Sequence, residues 1–268
     1  MGEEGKEEVK DDRVYDISTK GDRKLAQSTR DFLKDISFPA VFCDEELGVE
    51  SLVANPQFTV VYDDIDGTNN SVRGKGTLPY CTAVAIFDKP LKCCAYSDVA
   101  AAGVLEHRAG NLWLAGRGLG CSELEYVHYM HNAPGGYLNS HILACTSGKK
   151  ELDKKTVVAI EGYETGRQIV RFADIFEKAW VKDVSTSALQ LAGVACGMFD
   201  AFIHPRHKKD ELPAGYLLIK EAGGCITDFS GKPLDDKQYV YDADVRTDIV
   251  AAATPELNET LRSLIKPA

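Results

Sequence analysis

The chain has 268 residues, 44% of them hydrophobic and 27% charged, the composition of a globular protein whose core is large enough to stand without disulfide or metal staples. A net charge of −10 argues against a nucleic-acid-binding face, and no apolar run reaches the 18 residues a membrane helix needs. The opening MGEEGKEEVKDD is too acidic for a signal or transit peptide, so a cytoplasmic protein with no membrane partner is expected.

The first dozen residues read as a frayed head. GDRKLAQSTRDFLKDI then reads as an amphipathic helix, with Leu25, Phe32, Leu33 and Ile36 at helical spacing. A short strand, PAVFC, stops at Asp44, Glu45 and Glu46. FTVVY (58–62) is a β-branched and aromatic run that ends abruptly at Asp63-Asp64-Ile65-Asp66-Gly67-Thr68, a buried strand feeding a turn. PYCTAVAIF, LKCCAYSDV and NLWLAG read as further strands of an antiparallel meander.

NAPGG (132–136) marks the boundary between an N-terminal half, 11–136, and a C-terminal half, 137–268. Beyond it HILACT reads as a strand, the next stretch as charged and mostly helical, and SALQLAGVACG as a helix ahead of another strand. PAGYLLIKEAGG reads as a helix with Asp210 as N-cap, Pro213 in the first turn and Gly223 just past the end. Alternating strands and helices predict layered α/β packing. The eight cysteines form no CxxC pair, so they are expected to be reduced core residues.

Acidic residues stand at three strand ends or helix starts: Glu45/Glu46, Asp63/Asp64/Asp66 and Asp210/Glu211. Brought to about 5 Å, each like-charged pair costs on the order of 3 kcal/mol at an effective dielectric near 20. Divalent cations or protons must therefore fill such a cluster. Oxygen ligands without His or Cys select Mg2+, Mn2+ or Ca2+, and a bound cation would let an acidic protein hold a phosphate. Gly67 allows backbone N–H groups to approach an anion, and Thr68 offers a hydroxyl to orient water. By themselves Asp63, Asp66 and Gly67 are also the residues of an ordinary type I turn, and Asp210 of an ordinary helix cap.

YDDIDGTNN, with CDEELG upstream and DELPAGYLLIKEAGG downstream, resembles the inositol monophosphatase and fructose-1,6-bisphosphatase superfamily of lithium-sensitive, metal-dependent phosphatases. The pairing of DEELGVESL with FTVVYDDIDGTNNSVRG is most similar to the archaeal-type enzymes that act on both substrates. The resemblance spans about 16–265 and implies an α/β (α+β) five-layer α-β-α-β-α sandwich, a homodimer, and two or three Mg2+ ions with Mn2+ as substitute.

Residue by residue, the resemblance implies Glu45, Asp63, the Ile65 carbonyl, Asp66 and Asp210 as metal ligands, and Gly67 and Thr68 as the phosphate-binding turn. It pairs Thr68 with Asp22 to activate the water, and assigns Asp66, Ser185, Ser187 and Ala188 to the substrate pocket. Two choices stay open: Glu45 against Glu46, and Asp210 against Glu211, because the family's register falls on Glu211. Asp64 stands where the family usually has Pro. In the basic run Arg206-His207-Lys208-Lys209, otherwise a solvated loop, Arg206 is a candidate contact for a second phosphate.

The function expected is hydrolysis of a phosphate monoester of a small polyol or sugar, inositol monophosphate or fructose 1,6-bisphosphate. The alternatives are a phosphatase acting on 3′-phosphoadenosine 5′-phosphate and a non-catalytic module that binds divalent metal or a phosphometabolite.

Overall fold

The computed structural model describes residues 6–9, 17–75, 77–125, 141–162, 166–242 and 244–267. The boundary expected at 132–136 lies outside them. Within the head read as frayed, β1 (Lys6–Val9) pairs with β2 (Ile17–Thr19), and α1 (Lys20–Asp35) follows.

β3 (Ala40–Asp44), β4 (Gly48–Ser51), β5 (Phe58–Asp66), β6 (Cys81–Phe87), β7 (Val99–Glu106), β8 (Leu112–Gly116), β9 (Gly120–Leu124) and β10 (His141–Ala144) build one sheet. Its order is β10-β9-β8-β7-β6-β5-β3-β4, antiparallel throughout except for β3 beside β5. The short helix α2 (Thr68–Arg73) interrupts it after β5. β10, which the sequence assigns to the second half, is thus the edge strand of the first sheet.

The remaining chain runs β11 (Val157–Ile160), α3 (Gly166–Arg171), α4 (Ala173–Lys178), β12 (Trp180–Lys182), α5 (Ser187–Ala195), β13 (Ala201–His207), α6 (Leu212–Glu221), β14 (Cys225–Thr227), β15 (Thr247–Ala252) and α7 (Pro255–Leu264). Its five strands form a second, mixed sheet in the order β12-β11-β13-β15-β14.

These pieces stack as the five layers expected. α1 covers the outer face of the first sheet, where Leu33 and Phe38 pack on Ala40, Phe42, Val60 and Tyr62. α5 and α6 lie between the sheets and bury Leu191, Val194, Leu217 and Leu218 against Val61, Ala83, Val104 and Phe202. α4 and α7 close the far side over Val158, Ile160, Ile203 and Val250. The two middle helices approach closely because Gly215 faces Leu191; a Cβ there would stand 2.3 Å from Leu191 Cδ1.

Three local expectations change. On α1 the buried stripe is Asp22, Ala26 and half-buried Leu33, one helical face, whereas Leu25, Phe32 and Ile36 are exposed. LKCCAYSDV is no strand but two 3-10 turns, Leu91–Cys93 and Tyr96–Asp98, the second closed by the Asp98 carboxylate, which accepts the Ala95 N–H at 2.8 Å. The strand is the Ala- and Gly-rich β7, whose small side chains let α6 lie against it. Cys93 and Cys145 are exposed, while Cys43, Cys81, Cys94 and Cys121 are buried, all of them free thiols.

Candidate active site

In an unbroken strand, residues three apart point to opposite faces. β5 overcomes this with a bulge: Asp63 pairs with Ala83 but Asp66 with Cys81, so three steps on β5 oppose two on β6. The extra residue re-aims Asp66 to the side of Asp63. Gly67, at φ 86°, then turns the chain into α2. Its left-handed backbone and a Cβ position 2.2 Å from Thr186 Cγ2 both demand glycine. Gly67→Ala is expected to destabilise the fold by about 1–3 kcal/mol and to lower kcat/KM at least about tenfold, read by thermal melting and phosphate release.

The third acid comes from the second sheet. Glu211 is the residue before α6, and neither it nor Asp210 caps the helix by a side-chain hydrogen bond. Oxygens of Asp63, Asp66 and Glu211 lie within 4.8 Å of one another, and all three residues are buried. Asp210, next to Glu211 in sequence, has its Oδ2 3.2 Å from Lys209 Nζ and its Oδ1 buried without a hydrogen-bond partner. It is not in the three-carboxylate group, and the N-cap assigned to it falls on Glu211.

Burial dominates the electrostatics. It pushes Asp63 well above the usual carboxylate range, with the Glu211 and Asp66 charges adding to the effect. Asp66 is pushed up to about 7 by burial and then by Glu211, against the Ala188 N–H (2.7 Å) and Cys81 Sγ (3.6 Å) that donate to its Oδ2. Burial raises Glu211 as well, and Lys208 opposes it. Glu211 Oε2 is buried without a hydrogen-bond partner. Three buried hard-oxygen groups, each held above the usual carboxylate range first by burial, and an unpartnered oxygen fit a divalent cation.

The other residues singled out in the sequence stand at different depths. Glu45 is at the exposed end of β3, with Oε1 3.3 Å from Lys208 Nζ. The Ile65 carbonyl accepts the Thr68 hydroxyl at 2.9 Å. Asp22 is buried in the first turn of α1. Ser187 is buried and donates to Glu161 Oε2 at 3.0 Å, while Ala188 offers its N–H to Asp66. Ser185 is exposed with φ 53°, its N–H on Asp183 Oδ1. Arg206 is exposed on a second bulge, in β13, with φ 60°.

Several contributors carry no sequence signal. Asn70 Nδ2 donates to Pro79 O (2.9 Å) and Val184 O (2.7 Å), tying α2 to the segment before α5. Glu161, half-buried just past the end of β11, accepts from Ser187 and from Gln190 Nε2. Asp44 and Asp64 form a separate acidic pair toward α1. Asp44 Oδ1 accepts the Glu46 and Leu47 N–H groups and Asp64 Oδ1 that of Ile65, leaving both Oδ2 atoms buried and unpartnered. No helix among the described residues is long and apolar enough to cross a membrane.

The model of the inositol monophosphatase family matches residues 1–266. A fructose-1,6-bisphosphatase/inositol-1-monophosphatase of Methanothermobacter thermautotrophicus is 25% identical over 239 residues, 87% of this chain and 78% of that protein. Among solved structures, a SuhB protein of Bartonella henselae superposes with a TM-score of 0.75 at 19% identity, covering 97% of this chain and 90% of that one. A structure described as IMPase/NADP phosphatase complexed with Mg2+ and phosphate gives 0.73 at 17% identity, covering 98% and 87%. Family model, archaeal relative and five-layer architecture agree, and the chain belongs to the inositol monophosphatase family, whose members are phosphatases.

Proposed function

We propose that the chain is a magnesium-dependent phosphatase of small polyol or sugar phosphate monoesters, with inositol monophosphate and fructose 1,6-bisphosphate as its substrates. The observation that carries this reading is the convergence of Asp63, Asp66 and Glu211 beside the Gly67-Thr68 turn. These three, with Glu45 and the Ile65 carbonyl, are the residues to hold Mg2+, and Glu211 takes the place left open between it and Asp210. Magnesium bound there supplies Lewis acidity and positive charge for hydrolysis of a phosphate ester, and Mn2+ can replace it.

The chain's own groups do the rest. Thr68 Oγ1 orients the attacking water and Asp22 takes up its proton. The Gly67 and Thr68 backbone cradles the phosphate, and the Asp66 carboxylate, fixed by the Ala188 N–H, faces the substrate hydroxyls. The water oxygen joins phosphorus as the ester P–O bond breaks, and no side-chain nucleophile intervenes. Ser187 keeps α5 in register through Glu161, so that the N–H of Ala188 stays on Asp66. The homodimer that the resemblance implies, and the cytoplasmic location expected from the acidic opening segment, belong to the same reading.

The test is phosphate release from a panel of inositol 1-phosphate, fructose 1,6-bisphosphate, 3′-phosphoadenosine 5′-phosphate and NADP, with and without Mg2+. The expected result is Mg2+-dependent turnover of the first two at a kcat/KM at least about tenfold above the nucleotides, roughly the discrimination a few lost contacts give. Preference for the nucleotides would assign the enzyme to the other branch of substrates, and turnover unaffected by chelation would end the metal-dependent reading.

A further inference from the structure

A chain of polar contacts runs from the second sheet to the phosphate turn, and it begins at a residue outside every acidic motif. Glu161, half-buried just past β11, is fixed to that sheet by its backbone N–H, which donates to the Ile203 carbonyl at 3.1 Å. Its Oε2 accepts from Ser187 Oγ at 3.0 Å and from Gln190 Nε2 at 2.5 Å, both on α5. Gln190 is fully buried and uses its other end as well, its Oε1 accepting the Val184 N–H at 3.5 Å. The Val184 carbonyl in turn accepts from Asn70 Nδ2 of α2 at 2.7 Å. The segment 183–188, slung in this way between β11 and α2, touches the site at two places. The Ala188 N–H donates to Asp66 Oδ2 at 2.7 Å, and Thr186 packs against Gly67. Ser185, next to Thr186, holds φ 53°, a left-handed conformation that a residue other than glycine keeps only when its surroundings impose it.

We infer that Glu161 is a positioning residue of the carboxylate centre: through Ser187 and Gln190 it sets α5, and with it the donor that aims Asp66 and the wall behind Gly67. This rests on the metal-dependent reading above. Ser187 and Gln190 are three apart on a helix and so present their donors on one face, where a single carboxylate oxygen, with more than one lone pair, accepts both. In a buried network a member left without its partner costs more than the bond removed, so loss of Glu161 spreads to Gln190 and Val184. Asp66 then keeps its charge but loses its aim. The consequence is a change in ion affinity caused at a residue that is not itself a ligand.

The experiment measures Mn2+ binding to the full chain by electron paramagnetic resonance of the free ion, beside thermal melting in EDTA. Glu161→Ala is expected to bind Mn2+ about tenfold more weakly than the wild type, the size of effect that one misplaced hydrogen bond to a charged group gives. Glu161→Gln, which keeps an acceptor oxygen without the charge, should stay within about threefold of the wild type. Gln190→Ala keeps the Glu161 carboxylate but cuts its link to Val184; it should weaken binding by at least about threefold, and it carries the test should Glu161→Ala fail to fold. Wild-type affinity in Gln190→Ala, or a Glu161→Ala protein that melts lower yet binds Mn2+ as the wild type does, would overturn the inference. So would Glu161→Gln binding as weakly as Glu161→Ala, because charge rather than placement would then be at work. Mn2+ bound by none of the proteins, the wild type included, would overturn the metal-dependent reading and the inference with it.

Discussion

Asp63→Asn is expected to abolish Mg2+-dependent phosphate release, by about 10³-fold or more, while making the metal-free protein more stable. The two effects have one cause. Asp63 is buried with Glu211 and Asp66 close by, and each raises its pKa. Without a cation this crowding opposes folding, so a neutral amide of the same shape removes repulsion on the order of 1–3 kcal/mol and raises the melting temperature by a few degrees. With Mg2+ the same carboxylate anchors the ion, whose contribution of several kcal/mol to the transition state corresponds to at least three decades of rate. Melting curves in EDTA and in Mg2+, run beside a phosphate assay, separate the two. A mutant with wild-type turnover would sink the proposed centre, and a lower melting temperature in EDTA would show that the carboxylates do not repel.

The second large effect concerns Asp64, one of the two acids of the separate pair beside α1. Burial, then Asp44 and Asp22, push Asp64 up to about 8, and burial pushes Asp44 up to about 6. Asp66 moves in the same direction, to about 7. A carboxyl whose pKa is higher folded than unfolded stabilises the fold in its protonated form. That contribution is complete below the unfolded value near 4 and is lost as pH rises through the folded value. The metal-free protein should therefore weaken between about pH 4 and pH 8, with Asp64 alone accounting for up to roughly 5 kcal/mol.

Asp64→Asn removes that loss. Denaturant titrations in EDTA should show it more stable than the wild type by a few kcal/mol at pH 8 and near equal to it at pH 4. Mg2+ should restore little of the Asp64 share, because Asp64 and Asp44 sit on the α1 side of the sheet, across from Asp63. Equal stability differences at the two pH values would refute the assignment.

What could be read from the residues alone was local. The β-branched run before Asp63 named a buried strand, Gly67 marked the turn after it, and Pro213 with Gly223 bracketed α6 within a residue or two. The order of acidic motifs, through the family resemblance, pointed to metal-dependent phosphate chemistry. Neighbouring residues along the backbone set these features, so the sequence carries them.

The rest depended on how distant strands register. Period-two alternation would have sent Asp66 away from Asp63, and only the bulge opposite Cys81 brings them together. Asp210 and Glu211 are chemically near-equal and adjacent; the turn into α6 decides which enters the group and which meets Lys209. Lys208 and Glu45, 163 residues apart, meet only in the folded chain. The Ala- and Gly-rich β7 escaped detection because its small residues answer to the helix laid against it. A local pattern fixes period and turn, but the meeting of charges from separate elements is settled by tertiary packing, which no stretch of sequence contains.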